Sequence, residues 1–335
     1  MQSREFEIAI LGGGCIGSSI LYALCLRDKK NVVLVDNGRR NISATANSGG
    51  MLRVFHENLA HIHLALNNFT LLDTYQQSKV FTERANVNGN LYFFDKKRYR
   101  NYKNNFSLME RLHYPFEILT PLSGKERFPQ YTWNSQWAVY EPKGNQLSPK
   151  IFMDDLLVAS QKLGANILDD FEVNNICYKN NKYTLQGVKK SITSKILILA
   201  GGARLLPKLN HFGIKLNIEV KNITTYLAKK THPLQWPNYF DRESLQFGCF
   251  SHNDNVLLSE KNNAPVNEKK WGKIMIKKSA SDLYANNRMG ILGKIPGTHH
   301  LFIATGWGGT AFKFALEIGQ RIANAIEINS PRTII

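Results

Sequence analysis

The sequence predicts an α/β fold, a mostly parallel sheet that holds a nucleotide joined to a second, mixed antiparallel sheet, and three observations predict it. An apolar strand runs directly into Gly12-Gly13-Gly14-Cys15-Ile16-Gly17 and a helix. A second apolar strand, Asn31 to Val35, ends on an acid, Asp36. Two later apolar runs, Ile198-Leu199-Ala200 and Phe302-Ile303-Ala304-Thr305, also end on glycines. Strand, glycine turn, helix and strand in that order make a βαβ opening, the start of a Rossmann-like domain.

Taken in order, residues 5–11 read as the first strand and Ile16 to Leu26 as a helix, from apolar residues at helical spacing. The G-x-G-x-x-G turn between them permits a tight bend and lets backbone N–H groups meet a pyrophosphate. Asp36 stands where a carboxylate accepts hydrogen bonds from a ribose hydroxyl pair. Together these residues specify a dinucleotide but do not separate NAD from FAD, which share the same ADP half. A loop with Arg39, Arg40 and a small-residue run, Ser43 to Gly50, leads into a helix from about His56 to Gln77. The chain then turns aromatic, with Tyr92-Phe93-Phe94, Tyr131, Trp133 and Trp137, as expected of a separate mixed layer. Ser148 to Leu163 reads as a helix stopped by Gly164, followed by short strands near 167–178 and 183–185 and a buried strand from Lys195 into the glycine pair. Residues 218–278 alternate like antiparallel sheet, and a helix from about Ala311 to Ala325 closes the parallel one. The expected division is a discontinuous nucleotide domain of 1–80, 145–215 and 280–335, and a substrate domain of 81–144 and 216–279.

Composition narrows the class. The chain has 43% apolar residues, enough to fill a sizeable core. No apolar run, Ile196 to Ala200 among them, approaches the roughly 18 residues that span a bilayer, so no membrane span is expected. Residues 1–7 show no basic segment followed by an apolar stretch, which predicts a cytoplasmic protein without a secretory leader. Cys15, Cys25, Cys177 and Cys249 show neither C-x-x-C spacing nor nearby His pairs, so neither a metal site nor a disulfide framework is expected. The net charge of +17 is scattered in pairs such as Lys29-Lys30 and Lys277-Lys278 with no dense tract, which favours a solvated surface over an acidic macromolecular partner.

The two later glycine-ended strands break the tie between cofactors, because an NAD domain does not need them. With them the chain resembles the D-amino-acid oxidase superfamily of flavoproteins, most of all its monomeric sarcosine oxidase, pipecolate oxidase and glycine oxidase branch. The resemblance runs through the first glycine turn, Ser48-Gly49-Gly50-Met51-Leu52-Arg53, Tyr140-Glu141-Pro142, Ala200 to Ala203, and Gly306 to Phe314. The last is the most specific: the branch reads G-x-x-G-x-G-F-K-F, and here only the third glycine is lost, to Ala311. The resemblance implies a Rossmann-like FAD-binding domain of the glutathione-reductase type. It implies cofactor contacts from Gly12, Gly14, Ile16 and Gly17, and from Asp36, Asn37, Arg39 and Ser43. Further contacts are implied from Ser48, Gly49, Gly50, Met51 and Val173, from Ala200, Gly201 and Gly202, and from Gly308, Gly309, Thr310, Ala311 and Phe312. Arg53 and Lys313 are placed near the flavin as the catalytic set with His56, Lys313 matching a lysine that binds a substrate carboxylate. The implied activity is oxidation of a C–N bond in an amino acid or secondary amine.

Three departures qualify it. His56 stands where the branch has a carboxylate-binding arginine, so it is open as a base, a hydrogen-bond donor or a packing residue. Asp282 precedes Leu283-Tyr284 where the branch has a flavin-linking cysteine, which implies non-covalent FAD. A flavin-facing lysine is replaced by Leu258 on an ungapped count, with Lys261 expected on the other strand face. Tyr226 and Phe247 fall in segments that wall the family's substrate, whereas His61, His63, His299 and His300 read as surface or packing residues. Two other readings stay open: a flavoprotein that modifies a protein, peptide or tRNA, and a flavin-binding subunit without catalysis. An NAD-dependent dehydrogenase ranks behind both.

Overall fold

Strand β1 (Arg4–Leu11) sits in the middle of the first sheet, with Ile8, Ala9 and Ile10 fully buried. The computed structural model describes residues 4–29, 31–229, 236–250, 255–259 and 272–327. After β1 come helix α1 (Cys15–Cys25), strand β2 (Val32–Val35), the short strand β3 (Met51–Leu52) and helix α2 (Leu59–Gln77). The sheet order is Ile291–Lys294, Leu301–Thr305, Ser191–Leu199, β1, β2, Asn166–Leu168, parallel from the second strand onward. An antiparallel pair, Asn175–Lys179 and Lys182–Gln186, extends it from Ser191–Leu199. Central strands of a parallel sheet are covered on both faces, which is why β1 and β2 read as unbroken apolar runs.

Helix α1 is buried over its whole length, as an all-round apolar helix must be. Its two serines cost little there, since Ser18 Oγ donates to the Gly14 carbonyl at 2.9 Å and Ser19 Oγ to that of Cys15 at 2.7 Å. The C-terminal helix Ala311–Glu327 crosses α1 closely: a Cβ at Gly319 would stand 2.6 Å from the Ser19 carbonyl oxygen. Helix α2 starts at Leu59 rather than at the expected His56. The Asn58 side chain caps it by accepting the Ala60 N–H at 2.8 Å, which leaves His56 in the preceding loop.

The second sheet runs Ile274–Ala285, Ile218–Lys229, Asn255–Ser259, Phe247–Phe250, Asn238–Asp241, Asn90–Asp95, Gln136–Glu141, Glu117–Leu119. It is antiparallel except where Asn238–Asp241 meets Asn90–Asp95. The expected domain break at 279 falls inside Ile274–Ala285. That strand stays paired with Ile218–Lys229 up to Ala285, where its N–H turns to the Gly306 carbonyl at 2.8 Å. β3 pairs with Asn145–Gln146 and ties the two halves together. Among the described residues no helix is long and apolar enough to cross a membrane, and no group of three His, Cys, Asp or Glu could hold a metal.

Candidate active site

The register of the parallel sheet sets the site. Leu11 pairs with Val35 and with Leu199, and Leu199 with Ile303, so four strands deliver their following loops to one edge. Ligands of open α/β sheets lie at that carboxyl edge. A continuous cleft of about 1790 Å³ opens there. One small ligand needs roughly 300–1,000 Å³, so the cleft has room for a dinucleotide and a second molecule.

At one end the backbone forms the walls. Gly12 has φ +112°, and a Cβ on it would lie 2.4 Å from Gly201 Cα, so the two glycine turns meet only because Gly12 carries no side chain. Gly17 and Gly50 do not line the cleft. A Cβ on Gly17 would sit 1.8 Å from the Gly12 carbonyl oxygen, and one on Gly50 1.9 Å from that of Leu147, so each shapes backbone that others use. Gly14, the N-cap of α1, has no side chain of its own to cap the helix; Thr45 Oγ1 accepts the Cys15 N–H at 3.2 Å, and the positive helix end at Gly14, Cys15 and Ile16 lines the cleft. Asp36 accepts the Gly13 N–H at 2.8 Å. A second glycine-rich helix start, Gly308 to Phe312, faces the same space, and Gly308 (φ +52°) leaves room for Tyr284, whose ring would be 2.3 Å from a Cβ there. Two helix starts and a ribose-height carboxylate fit a pyrophosphate-bridged dinucleotide.

The other end is cationic. Buried Glu141 accepts the N–H groups of Val54 (2.6 Å) and Phe55 (3.0 Å) and so fixes the loop after β3. Arg53, also buried, donates to the Phe55 carbonyl and stacks over Tyr92 (4.8 Å) and Phe240 (5.4 Å), with its Nε unpaired. Lys313 is half-buried, donates from Nζ to the Gly309 carbonyl at 2.9 Å, and is pushed down to about 7 by burial and by the Arg53 charge. His56 is buried with Nδ1 3.0 Å from the Val54 carbonyl, and burial with Arg53, His61 and Lys313 holds it well below the usual histidine range. His61 is likewise lowered, to about 4, chiefly by burial. Glu57 Oε1 accepts from Tyr92 (2.8 Å), Tyr102 (2.9 Å) and Arg242, which braces Tyr92 beneath Arg53.

A family model described as DAO, FAD dependent oxidoreductase, matches residues 7–262. The chain belongs to this family. Over 177 residues, 48% of this chain, it is 24% identical to human mitochondrial dimethylglycine dehydrogenase. The chain spans only 19% of that relative's length. Among solved structures, L-proline dehydrogenase from P. horikoshii superposes with a TM-score of 0.87 at 17% identity, covering 99% of this chain and 96% of the other. Glycine oxidase from Geobacillus kaustophilus gives 0.83 at 17% identity, over 99% and 97%. Iminodiacetate oxidase from Chelativorans sp. BNC1 gives 0.80 at 15%, over 98% and 97%. At such identities these structures establish a shared fold.

On this DAO-family fold, every other expected contact residue lines the cleft, from Asp36, Asn37, Arg39 and Ser43 through Val173 to Thr310 and Ala311. Three expectations are corrected. Leu258 is buried in a core with Phe250 and Val256; Ser259 faces the cleft instead, because Asn255–Ser259 is held in register by Gly248 opposite Leu258. Lys261 lies outside the described residues. Tyr226 is buried away from the cleft, whereas Phe247 lines it. His61 is not on the surface: it packs on Phe314 (4.9 Å), 5.7 Å from the His56 ring, and it also lines the cleft. Its spacing with Ala65, Asn68 and Leu72 on the buried face of α2 was the signal that places it there. Glu57 and Arg242 were also missed, since nothing local in sequence marks them as cleft residues, and so was Trp307, although it stands inside the Gly306 to Phe314 motif.

Proposed function

We propose that this protein oxidises the C–N bond of an amino acid or secondary amine, with FAD as the acceptor of the α-hydride. The observation that carries the reading is the pairing of a dinucleotide-shaped cleft with two cations, Arg53 and Lys313, at its far end. Lys313 and Arg53 hold the substrate carboxylate and set the α-carbon against the cofactor. Tyr92, Phe240 and Phe247 wall the reacting carbon from water. The open start of Ala311–Glu327 stabilises negative charge that develops in the cleft. FAD held by the glycine turns and Asp36 would supply the hydride acceptor, and the imine product would hydrolyse to a carbonyl and an amine. The cofactor half is assigned to 1–80, 145–215 and 280–335 and the substrate half to 81–144 and 216–279, with Ile274–Ala285 shared.

The FAD is held without a covalent bond. Asp282 is not a thiol, and the two thiols lining the cleft, Cys15 and Cys249, are pushed by burial up to about 11 and about 12, so neither is a ready nucleophile. Four free cysteines suit a reducing compartment, and the cytoplasm is the assignment made here. The test is an absorbance spectrum of the purified protein, acid precipitation, and anaerobic mixing with N-methyl and free amino acids. A flavin spectrum that moves to the supernatant and bleaches with an amino acid supports the reading; a colourless protein, or a flavin that no amine bleaches, refutes it.

A further inference from the structure

Within the proposed amine oxidation, we infer that His56 is a hydrogen-bond acceptor for the substrate nitrogen and restricts the enzyme to amines that keep an N–H as the free base. The argument starts from the tautomer. A carbonyl oxygen has no proton to give, so the 3.0 Å contact between His56 Nδ1 and the Val54 carbonyl requires Nδ1 to carry the hydrogen. The ring is 4% exposed, and every ionisable group acting on it, Arg53 from its own loop, His61 from α2 and Lys313 from the C-terminal helix, disfavours a second proton. The neutral ring therefore presents a bare lone pair at Nε2. That atom is itself buried and has no partner among the described residues, in a side chain that lines the cleft beside Arg53 and Lys313. Its orientation is fixed, because the ring packs on Phe314 (5.0 Å) and edge-on to His61 (5.7 Å), while Asn105 holds the His56 carbonyl at 2.7 Å.

A lone pair in that place repels a carboxylate, which the two cations take, and accepts a donor. Hydride loss from carbon needs the nitrogen lone pair, so the reactive amine is the free base. A primary or secondary free base still has an N–H for Nε2, whereas a tertiary one sets its lone pair against that of His56 and leaves a buried acceptor unpaired.

The experiment compares a matched pair, singly and doubly N-methylated, of whichever amino acid bleaches the flavin, in the anaerobic reductive half-reaction. The wild type is expected to reduce about 10–100-fold more slowly with the doubly methylated form, the range for an unpaired buried polar group. His56→Phe, which keeps the ring packing, narrows the ratio to within about threefold, and His56→Gln, which returns an acceptor oxygen, restores much of it. FAD content and melting temperature report folding of both variants. Independently of turnover, 15N NMR of the wild-type imidazole is expected to show Nδ1 protonated and Nε2 bare. Equal rates for the pair in the wild type, a ratio unchanged in His56→Phe, or the opposite tautomer overturns this assignment alone. A flavin that no amine bleaches overturns the amine reading, and this assignment with it.

Discussion

Lys313 offers the sharpest test of the cationic end, because its ammonium is pushed down to about 7 and it therefore titrates in an accessible range. The perturbation is pH, and the probe is a simple carboxylate without an amine, such as propionate, whose own charge is constant above pH 6. Below about 7 Lys313 is charged and contributes a charge-assisted hydrogen bond, about 1.5–3 kcal/mol. That is roughly a 10–150-fold difference in Kd between charged and neutral lysine, since 1.4 kcal/mol is tenfold. By linkage, a bound carboxylate raises the Lys313 pKa by the same factor, about one to two units. Kd is thus expected to be flat below pH 7, to rise about tenfold per unit above it, and to level near pH 8–9. Arg53 keeps its charge throughout and cannot produce this inflection. His61 has already lost its proton at about 4, and the charges that act on Lys313 are those of Arg53 and Cys249, not that of Asp282. The assay is perturbation of the bound flavin spectrum by propionate in wild type and in Lys313→Met, which should bind weakly with no inflection near 7. A wild-type Kd constant from pH 6 to 9, or an inflection that survives in Lys313→Met, refutes the assignment.

Three further outcomes follow from the packing. Gly17→Ala places a Cβ 1.8 Å from the Gly12 carbonyl oxygen, backbone against backbone, and is expected to cost about 3 kcal/mol or more and to lower both melting temperature and FAD retention; unchanged values would show that the turn relaxes freely. Glu141→Ala leaves the N–H groups of Val54 and Phe55 unpaired in the interior and removes a buried carboxylate that acts on the Arg53 charge, a loss of about 2–5 kcal/mol read by chemical denaturation, with Glu141→Gln intermediate. His61 is neutral when folded and titrates near 6.5 when unfolded, so between about 4 and 6.5 the unfolded chain binds more protons and stability falls as pH falls. His61→Phe should flatten that acid limb by up to ~3 kcal/mol relative to wild type, a difference that removes the opposite-signed contribution of Asp282, whose carboxyl is raised on folding.

What was legible in the sequence is what local patterning encodes. Gly12 to Gly17 and Asp36 belong to a contiguous strand, turn, helix and strand, and the structure forms them within a residue of the periodicity. Lys313 was legible through an ungapped run of motif residues on one helix start. Leu258 was misplaced because strand facing has period two, and a one-residue slip exchanges core for cleft. The register of Asn255–Ser259 is set by partners remote in sequence, Gly248 on one side and Tyr226 on the other, which a local count cannot supply. The strand around 279 was likewise not bounded by local pattern, since it ends where the distant Gly306 carbonyl captures Ala285. Glu57 was invisible because its three partners, Tyr92, Tyr102 and Arg242, come from separate segments.

The charge arrangement explains why the cationic end holds one anion. Arg53 is desolvated, and Glu141 is the buried carboxylate that answers it, each influencing the other's titration. The Arg53 charge nonetheless reaches Lys313, and with burial it leaves that lysine's proton loosely held until an anion arrives. A carboxylate therefore recruits its own counter-charge, taking up a proton on Lys313 as it binds. A neutral amine without a carboxylate finds Lys313 partly deprotonated at pH 7 and gains nothing from it. Removing Glu141 would turn Arg53 into a second uncompensated cation and push the Lys313 pKa further down, shifting the propionate inflection to lower pH. In Glu141→Gln, which retains the loop's acceptor oxygen, a measurable downward shift of that inflection is the expected result, and an unmoved inflection would show that Arg53 and Lys313 titrate independently.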